Sequence, residues 1–104
     1  MTDFEVKITD GNFDEIISNA EKPVLIDFYA DWCGPCQMLS PIVYEIAEER
    51  DDIIVGKVNV DENPELTARF GIMSIPMLIV IKNGEVTAQN IGFCDKEKIE
   101  GMLQ

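Results

Sequence analysis

The chain has 104 residues, one ordinary domain's worth, and its 46% hydrophobic content is enough to build a core without metals or several disulfides. Twenty acids against eight bases leave a net charge of −12, so nucleic acid and anionic membrane surfaces are excluded as natural partners. The excess is concentrated early: residues 1–52 hold thirteen acids and three bases, residues 53–104 seven and five. Asp3 and Glu5 stand where a signal peptide would be basic, no apolar run reaches membrane-spanning length, and the expected place is the cytoplasm. Three cysteines there argue against a structural disulfide framework.

Residues 3–8 alternate weakly and predict an edge strand. Asp10 or Asn12 caps a helix to about Asn19, with Phe13, Ile16, Ile17 and Ala20 at helical spacing. The run 24–29 is apolar on both faces except for Asp27, the pattern of a central strand covered on both sides. A long helix follows from about Cys33 to Glu49, with Cys36, Leu39, Val43, Ile46 and Ala47 on one stripe and an expected kink at Pro41. The acids 48, 49, 51 and 52 around Arg50 close that helix and read as a solvated face.

Residues 53–59 predict a second buried strand. Asn63 caps a short helix that opens on Pro64 and stops at Gly71. Residues 77–81 predict a strand, Asn83-Gly84 a hairpin turn, and 85–89 the returning strand. Asp95 caps a last helix carrying Ile99, Met102 and Leu103. The order β-α-β-α-β-α-β-β-α predicts an α/β domain over residues 1–104: a central mixed sheet, parallel where strands alternate with helices and antiparallel at the late hairpin, flanked by helices on both faces.

Trp32-Cys33-Gly34-Pro35-Cys36 lies where the first central strand hands over to the long helix, the end of an open α/β sheet at which sites collect. Residues i and i+3 at a helix start are about 5–6 Å apart, within the reach of a disulfide. Cys33 falls at the helix N-terminus, where free N–H groups and the macrodipole favour a thiolate. Cys36 falls one turn in, on the buried stripe. Cys33 is therefore expected to attack and Cys36 to resolve the mixed disulfide. Pro35, behind Gly34, stiffens the loop and favours ring closure, making the dithiol a better reductant. Half of a zinc site is a poor reading, since the chain has no histidine and one further cysteine.

The segment Asp27-Phe28-Tyr29-Ala30-Asp31-Trp32-Cys33-Gly34-Pro35-Cys36 resembles the active-site signature of the thioredoxin family, and Pro41, Lys57, Asp61, Pro76, Asn83-Gly84 and Gly92 match in family order along the whole chain. The resemblance implies the thioredoxin fold and the reduction of disulfides in oxidised protein substrates, with no bound cofactor. It implies electrons from a thioredoxin reductase, nicotinamide- or ferredoxin-linked, and a monomer. Target enzymes would include peroxiredoxins, methionine sulfoxide reductases and ribonucleotide reductase.

Asp27 resembles the family's buried acid beneath the second cysteine. A carboxylate in an apolar strand has its pKa raised by burial, which suits a proton carrier for Cys36. Lys57 resembles the amine that pairs with it. Ile75-Pro76 resembles the cis-proline loop facing the disulfide, where the Ile75 backbone would pair with an extended substrate segment. Trp32, Val60, Ile75, Pro76, Ile91, Gly92 and Phe93 would form an apolar groove that docks protein substrates.

The chain departs from the family pattern at four places. Gln37 stands where Lys or Arg is frequent, removing a positive charge near Cys33. Phe93 stands where a small residue is common and builds up the groove wall. Met73 and Met77 flank the proline loop as soft, adaptable surface. Cys94 is a third thiol beside the groove, either an apolar filler or a site of oxidation. Two other functions stay open: a disulfide oxidase or isomerase, against which Gly34-Pro35 weighs, and a non-catalytic binding subunit that uses only the fold.

Overall fold

A computed structural model describes residues 4–104. The strands are β1 (Glu5–Lys7), β2 (Val24–Tyr29), β3 (Ile54–Asn59), β4 (Met77–Lys82) and β5 (Glu85–Ile91), of which β2 and β4 are apolar runs buried on both faces. Helical spacing builds α1 (Phe13–Asn19), α2 (Gly34–Glu49), α3 (Pro64–Arg69) and α4 (Lys96–Met102). The strands lie in one sheet in the order β1-β3-β2-β4-β5, with β1 at an edge as expected and β2 in the centre.

Strand parity divides the core. Val24, Ile26, Phe28, Val58, Met77, Ile79 and Ile81 pack with Phe13 of α1 and Leu66 of α3 on one face. Leu25, Val55, Leu78 and Val80 pack on the other with Leu39, Val43 and Ile46 of α2 and Ile99 and Met102 of α4. Pro41 sits within α2, which runs on as a helix to Glu49.

The pairing of β4 is not the one that alternation of strands and helices predicts. β1 and β2 run parallel to β3, but β4 runs antiparallel to β2. The six-residue α3 is about 9 Å long, too short to carry the chain back along the sheet. The chain thus enters β4 at the end where it left β3, with Met77 beside Phe28. The hairpin behind it is as expected: Asn83 and Gly84 both have positive φ, 53° and 82°, in the turn, and β5 continues to Ile91.

Capping is less local than the sequence implies. Asn12 occupies the N-cap of α1, but its side chain makes no cap bond there and accepts from Thr9 N instead. Asp10 caps α3, accepting from Leu66 N at 2.9 Å and Glu65 N at 3.2 Å. Asn63, the expected cap of α3, is turned inward: its Oδ1 accepts from Asp10 N and its Nδ2 donates to Asn59 O. Asp95 does cap α4, accepting from Lys98 N. The acids 48, 49, 51 and 52 at the end of α2 are all exposed, the solvated face expected, and cations lie beside it. Lys96 of α4 lies 2.7 Å from Glu49 and 3.5 Å from Glu45, and Arg50 bonds both Asp52 and Glu100. Among the described residues no helix is long and apolar enough to cross a membrane.

Candidate active site

The central strand β2 ends at Tyr29, and four residues later Cys33 takes the N-cap of α2 in extended conformation. Gly34 and Pro35 fill the first helical positions, where a missing N–H is no loss, and both are exposed. Cys33 Sγ accepts from Cys36 N at 3.2 Å, so a sulfur does the work usually given to a Ser or Asp oxygen. Cys33 and Cys36 form a disulfide with their Cα atoms 5.2 Å apart. The two cysteines are covered alike, at 4% and 3% exposure. What separates them is position: one is the cap, the other lies inside the first turn.

Three loops converge on the pair. Ile75 O lies 3.9 Å from Cys33 Sγ, and Tyr29, Val60 and Ile75 pack around Ala30 and the two cysteines. The Ile75–Pro76 peptide is cis. Gly92, at φ 89°, donates its N–H to Pro76 O at 2.7 Å, which joins the end of β5 to the proline loop. Trp32 Nε1 donates to Asp61 Oδ2 at 2.8 Å, tying the cysteine loop to the chain after β3. Trp32, Ile91 and Phe93 are exposed around this end of the sheet, Ile75 is half-buried and Pro76 is buried.

Asp27 is 1% exposed, on the α2 face of β2 and directly opposite Lys57 in the β2–β3 register. Burial pushes its carboxyl up to about 6 against the nearby Lys57 ammonium, which pulls it down. The ammonium is 3.7 Å from Asp27 Oδ2, beyond hydrogen-bond reach, and neither carboxylate oxygen has a hydrogen-bond partner among the described residues. Lys57 donates instead to Ser40 Oγ at 2.9 Å and lies over the Tyr29 ring. Glu5, on β1, is a second acid raised by burial and lowered by Lys57.

The departures noted in the sequence have local consequences. Gln37 donates to Asp31 O at 2.8 Å and so ties the first turn of α2 to the preceding loop. Met73 is 96% exposed, but Met77 is buried in the α1–α3 side of the core and adds no surface to the proline loop. Its side chain follows the parity of Ile79 and Ile81, which points it inward. Cys94 is half-buried against the α2–α4 side of the core, and burial pushes its thiol up. Sequence reasoning missed Ser40 and Glu5. The signal for Ser40 was its spacing, four residues after Cys36 on the same helix.

The thioredoxin family model matches residues 4–104. The chain belongs to the thioredoxin family. It is 53% identical over 97 residues to the thioredoxin of Alicyclobacillus acidocaldarius, covering 92% of this chain and 91% of that one. It is 48% identical over 101 residues to that of Staphylococcus haemolyticus, with coverages of 94% and 93%. The thioredoxin of Porphyra purpurea is 46% identical over 98 residues, with coverages of 93% and 92%. The strand order and the capped disulfide thus belong to a thioredoxin fold, and the protein is a dithiol–disulfide oxidoreductase of the protein-disulfide-reductase kind. Its redox-active disulfide is present between the two cysteines of the Cys-Gly-Pro-Cys motif, and thioredoxins work without a bound cofactor. Protein substrates and a reductase are the partners that the family implies in general.

Proposed function

We propose that Cys33 is the attacking thiolate and Cys36 the resolving thiol of a cycle that reduces disulfides in other proteins. The observation that carries this reading is the bond from Cys36 N to Cys33 Sγ at the N-cap of α2. In the dithiol form the same N–H and the helix dipole stabilise negative charge on Cys33. The Cys33 thiolate attacks one sulfur of the substrate disulfide, forming a mixed disulfide and expelling the other sulfur as a thiolate. Asp27 takes the proton of the Cys36 thiol. The Cys36 thiolate then attacks Cys33 Sγ, closing the Cys33–Cys36 disulfide and releasing the second substrate thiolate. Two electrons pass to the substrate; the Cys36 proton passes from Asp27 to one released thiolate, and the other thiolate takes its proton from solvent.

Asp27 suits the proton step because its carboxyl, at about 6, changes state near neutral pH. Lys57 supplies the charge that keeps it from rising further. Gly34 and Pro35 contribute to the reduction potential by stiffening the ring of the disulfide. Trp32, Val60, Ile75, Pro76, Ile91, Gly92 and Phe93 form the docking groove, and the Ile75 backbone beside Cys33 Sγ pairs with an extended substrate segment. A thioredoxin reductase returns the two electrons. Residues 1–104 act as one monomeric unit in the cytoplasm.

The test is trapping. A Cys36→Ser protein mixed with a disulfide-bonded protein substrate accumulates a covalent complex through Cys33 that a small dithiol releases. A Cys33→Ser protein accumulates none. A complex formed equally well through Cys36 would reverse the assignment.

A further inference from the structure

The Lys57 ammonium has two candidate acceptors and uses the weaker one. Its Nζ is 2.9 Å from the neutral Ser40 hydroxyl and 3.7 Å from the Asp27 carboxylate. A buried carboxylate facing an ammonium ordinarily takes a short, charge-assisted bond of about 2.7–2.9 Å. Here both Asp27 oxygens are buried without a hydrogen-bond partner among the described residues. The Tyr29 ring, 4.5 Å from Nζ, flanks the amine from a third side. Ser40 is on α2, four residues after Cys36, and the two line one cavity of about 160 Å³ with Lys57, Tyr29 and Gln37. The helix that carries the resolving thiol therefore also carries the group that holds the lysine.

We propose that Ser40 is a positioning residue for the proton-transfer step: its hydroxyl draws the Lys57 ammonium away from Asp27 and so keeps the Asp27 carboxylate free to accept the Cys36 proton. This rests on the reading of Asp27 as the proton carrier. With a direct bond to Lys57, the carboxylate would be a weaker base, ionised to lower pH and less able to take a thiol proton. With the ammonium held by Ser40 at 3.7 Å from the carboxylate, Lys57 lowers the Asp27 carboxyl mainly as a nearby charge, and burial prevails. The other titratable or charged groups around the pair are Glu5 and Lys7 of β1, Tyr29 of β2, Asp31 before α2, Cys36 of α2, Glu62 after β3 and Cys94 after β5. Of these, Glu5 opposes Lys57 by raising the Asp27 carboxyl.

The experiment follows the Asp27 side-chain carboxyl by carbon NMR against pH in the oxidised protein, for wild type, Ser40→Ala, Lys57→Met and the double variant. Alanine is the best helix former, so the single substitution leaves α2 intact. In Ser40→Ala the Asp27 midpoint falls by about one pH unit as Lys57 closes on the carboxylate. In the Lys57→Met background the same substitution moves nothing, because its effect runs through the lysine. An unmoved or raised midpoint in Ser40→Ala, or an equal fall without Lys57, overturns the proposal. The rate of mixed-disulfide release against pH is measured alongside, with Asp27→Asn as reference. The release profile of Ser40→Ala tracks the lowered midpoint, and Asp27→Asn loses the step. If the carboxyl midpoint moves as described while Asp27→Asn keeps the wild-type release profile, it is the proton-carrier reading that fails, and Ser40 loses its part in the reaction with it.

Discussion

The sheet face under α1 and α3 is lined by Ile26, Phe28, Val58 and Ile79 and buries no charged residue, whereas the face under α2 and α4 sets Asp27 in the same row as Leu25. Both faces are closed, and both belong to the same strands. The first packs apolar side chains against apolar cover, where burial adds to stability. The second keeps an ionisable group whose carboxylate oxygens have no hydrogen-bond partner among the described residues. Such a group costs free energy, and a fold retains it where it can be used. One face is apolar throughout its sheet rows; the other holds the carboxyl that we propose as the proton carrier.

Four substitutions break or sharpen this division. Phe28→Ala on the apolar face should cost about 3–5 kcal/mol in a denaturant titration, through lost burial and the cavity left behind. The reduction potential of what remains folded should be unchanged. A shifted potential would mean that the two faces are not separate. On the other face the effect has the opposite sign and depends on pH. The Asp27 carboxyl titrates at about 6 in the fold against an ordinary value of 3.8. Between those values the folded protein holds a proton that the unfolded chain has released. Stability therefore falls as pH rises from about 4 to about 6, and above that it stays lower by about 3 kcal/mol. Asp27→Asn should remove this slope in denaturant midpoints taken at pH 4 and pH 7. A wild type equally stable at both would contradict the assigned burial cost.

Smaller effects lie away from the sheet's centre. Asp10→Ala removes the cap of α3, a helix one loop away in space and fifty residues away in sequence. It should cost about 1 kcal/mol, with hydrogen exchange rising first at Leu66. Loss confined to α1 would contradict the cap assignment. Gln37→Lys restores a charge near the cysteines, and modestly faster alkylation of reduced Cys33 at mildly acid pH is expected. An unchanged rate would show that the tether from Gln37 to Asp31, and not the missing charge, is what matters at that position.

Much of this was legible in the sequence. Apolar runs placed the core strands, turn signals the hairpin and helical spacing the helices, because the central strands are covered on both faces and the long helix has one apolar stripe. The cysteine pair was legible from its spacing, Asp27 because a carboxylate in an apolar strand is conspicuous, and Lys57 through the family resemblance. What was not legible depended on distance in space. The direction of β4 follows from the shortness of α3; the sequence showed a short helix there, but not that it leaves the chain at the same end of the sheet. Asp10 reaches a helix that sequence places far away, and Asn63 is consumed by the contact. Met77 opens a strand that is covered on both faces, so its side chain enters the core and not the proline loop. Ser40 reads as an ordinary helix residue until Lys57 is beside it.

The most direct test of the central claim is the reduction potential of the Cys33–Cys36 couple, titrated against a defined dithiol buffer. A reductant built on a capped thiolate and a stiff Gly34-Pro35 loop should sit near the roughly −270 mV typical of thioredoxins. A value near the roughly −180 to −120 mV of disulfide isomerases and oxidases would contradict it and make the protein a donor of disulfides.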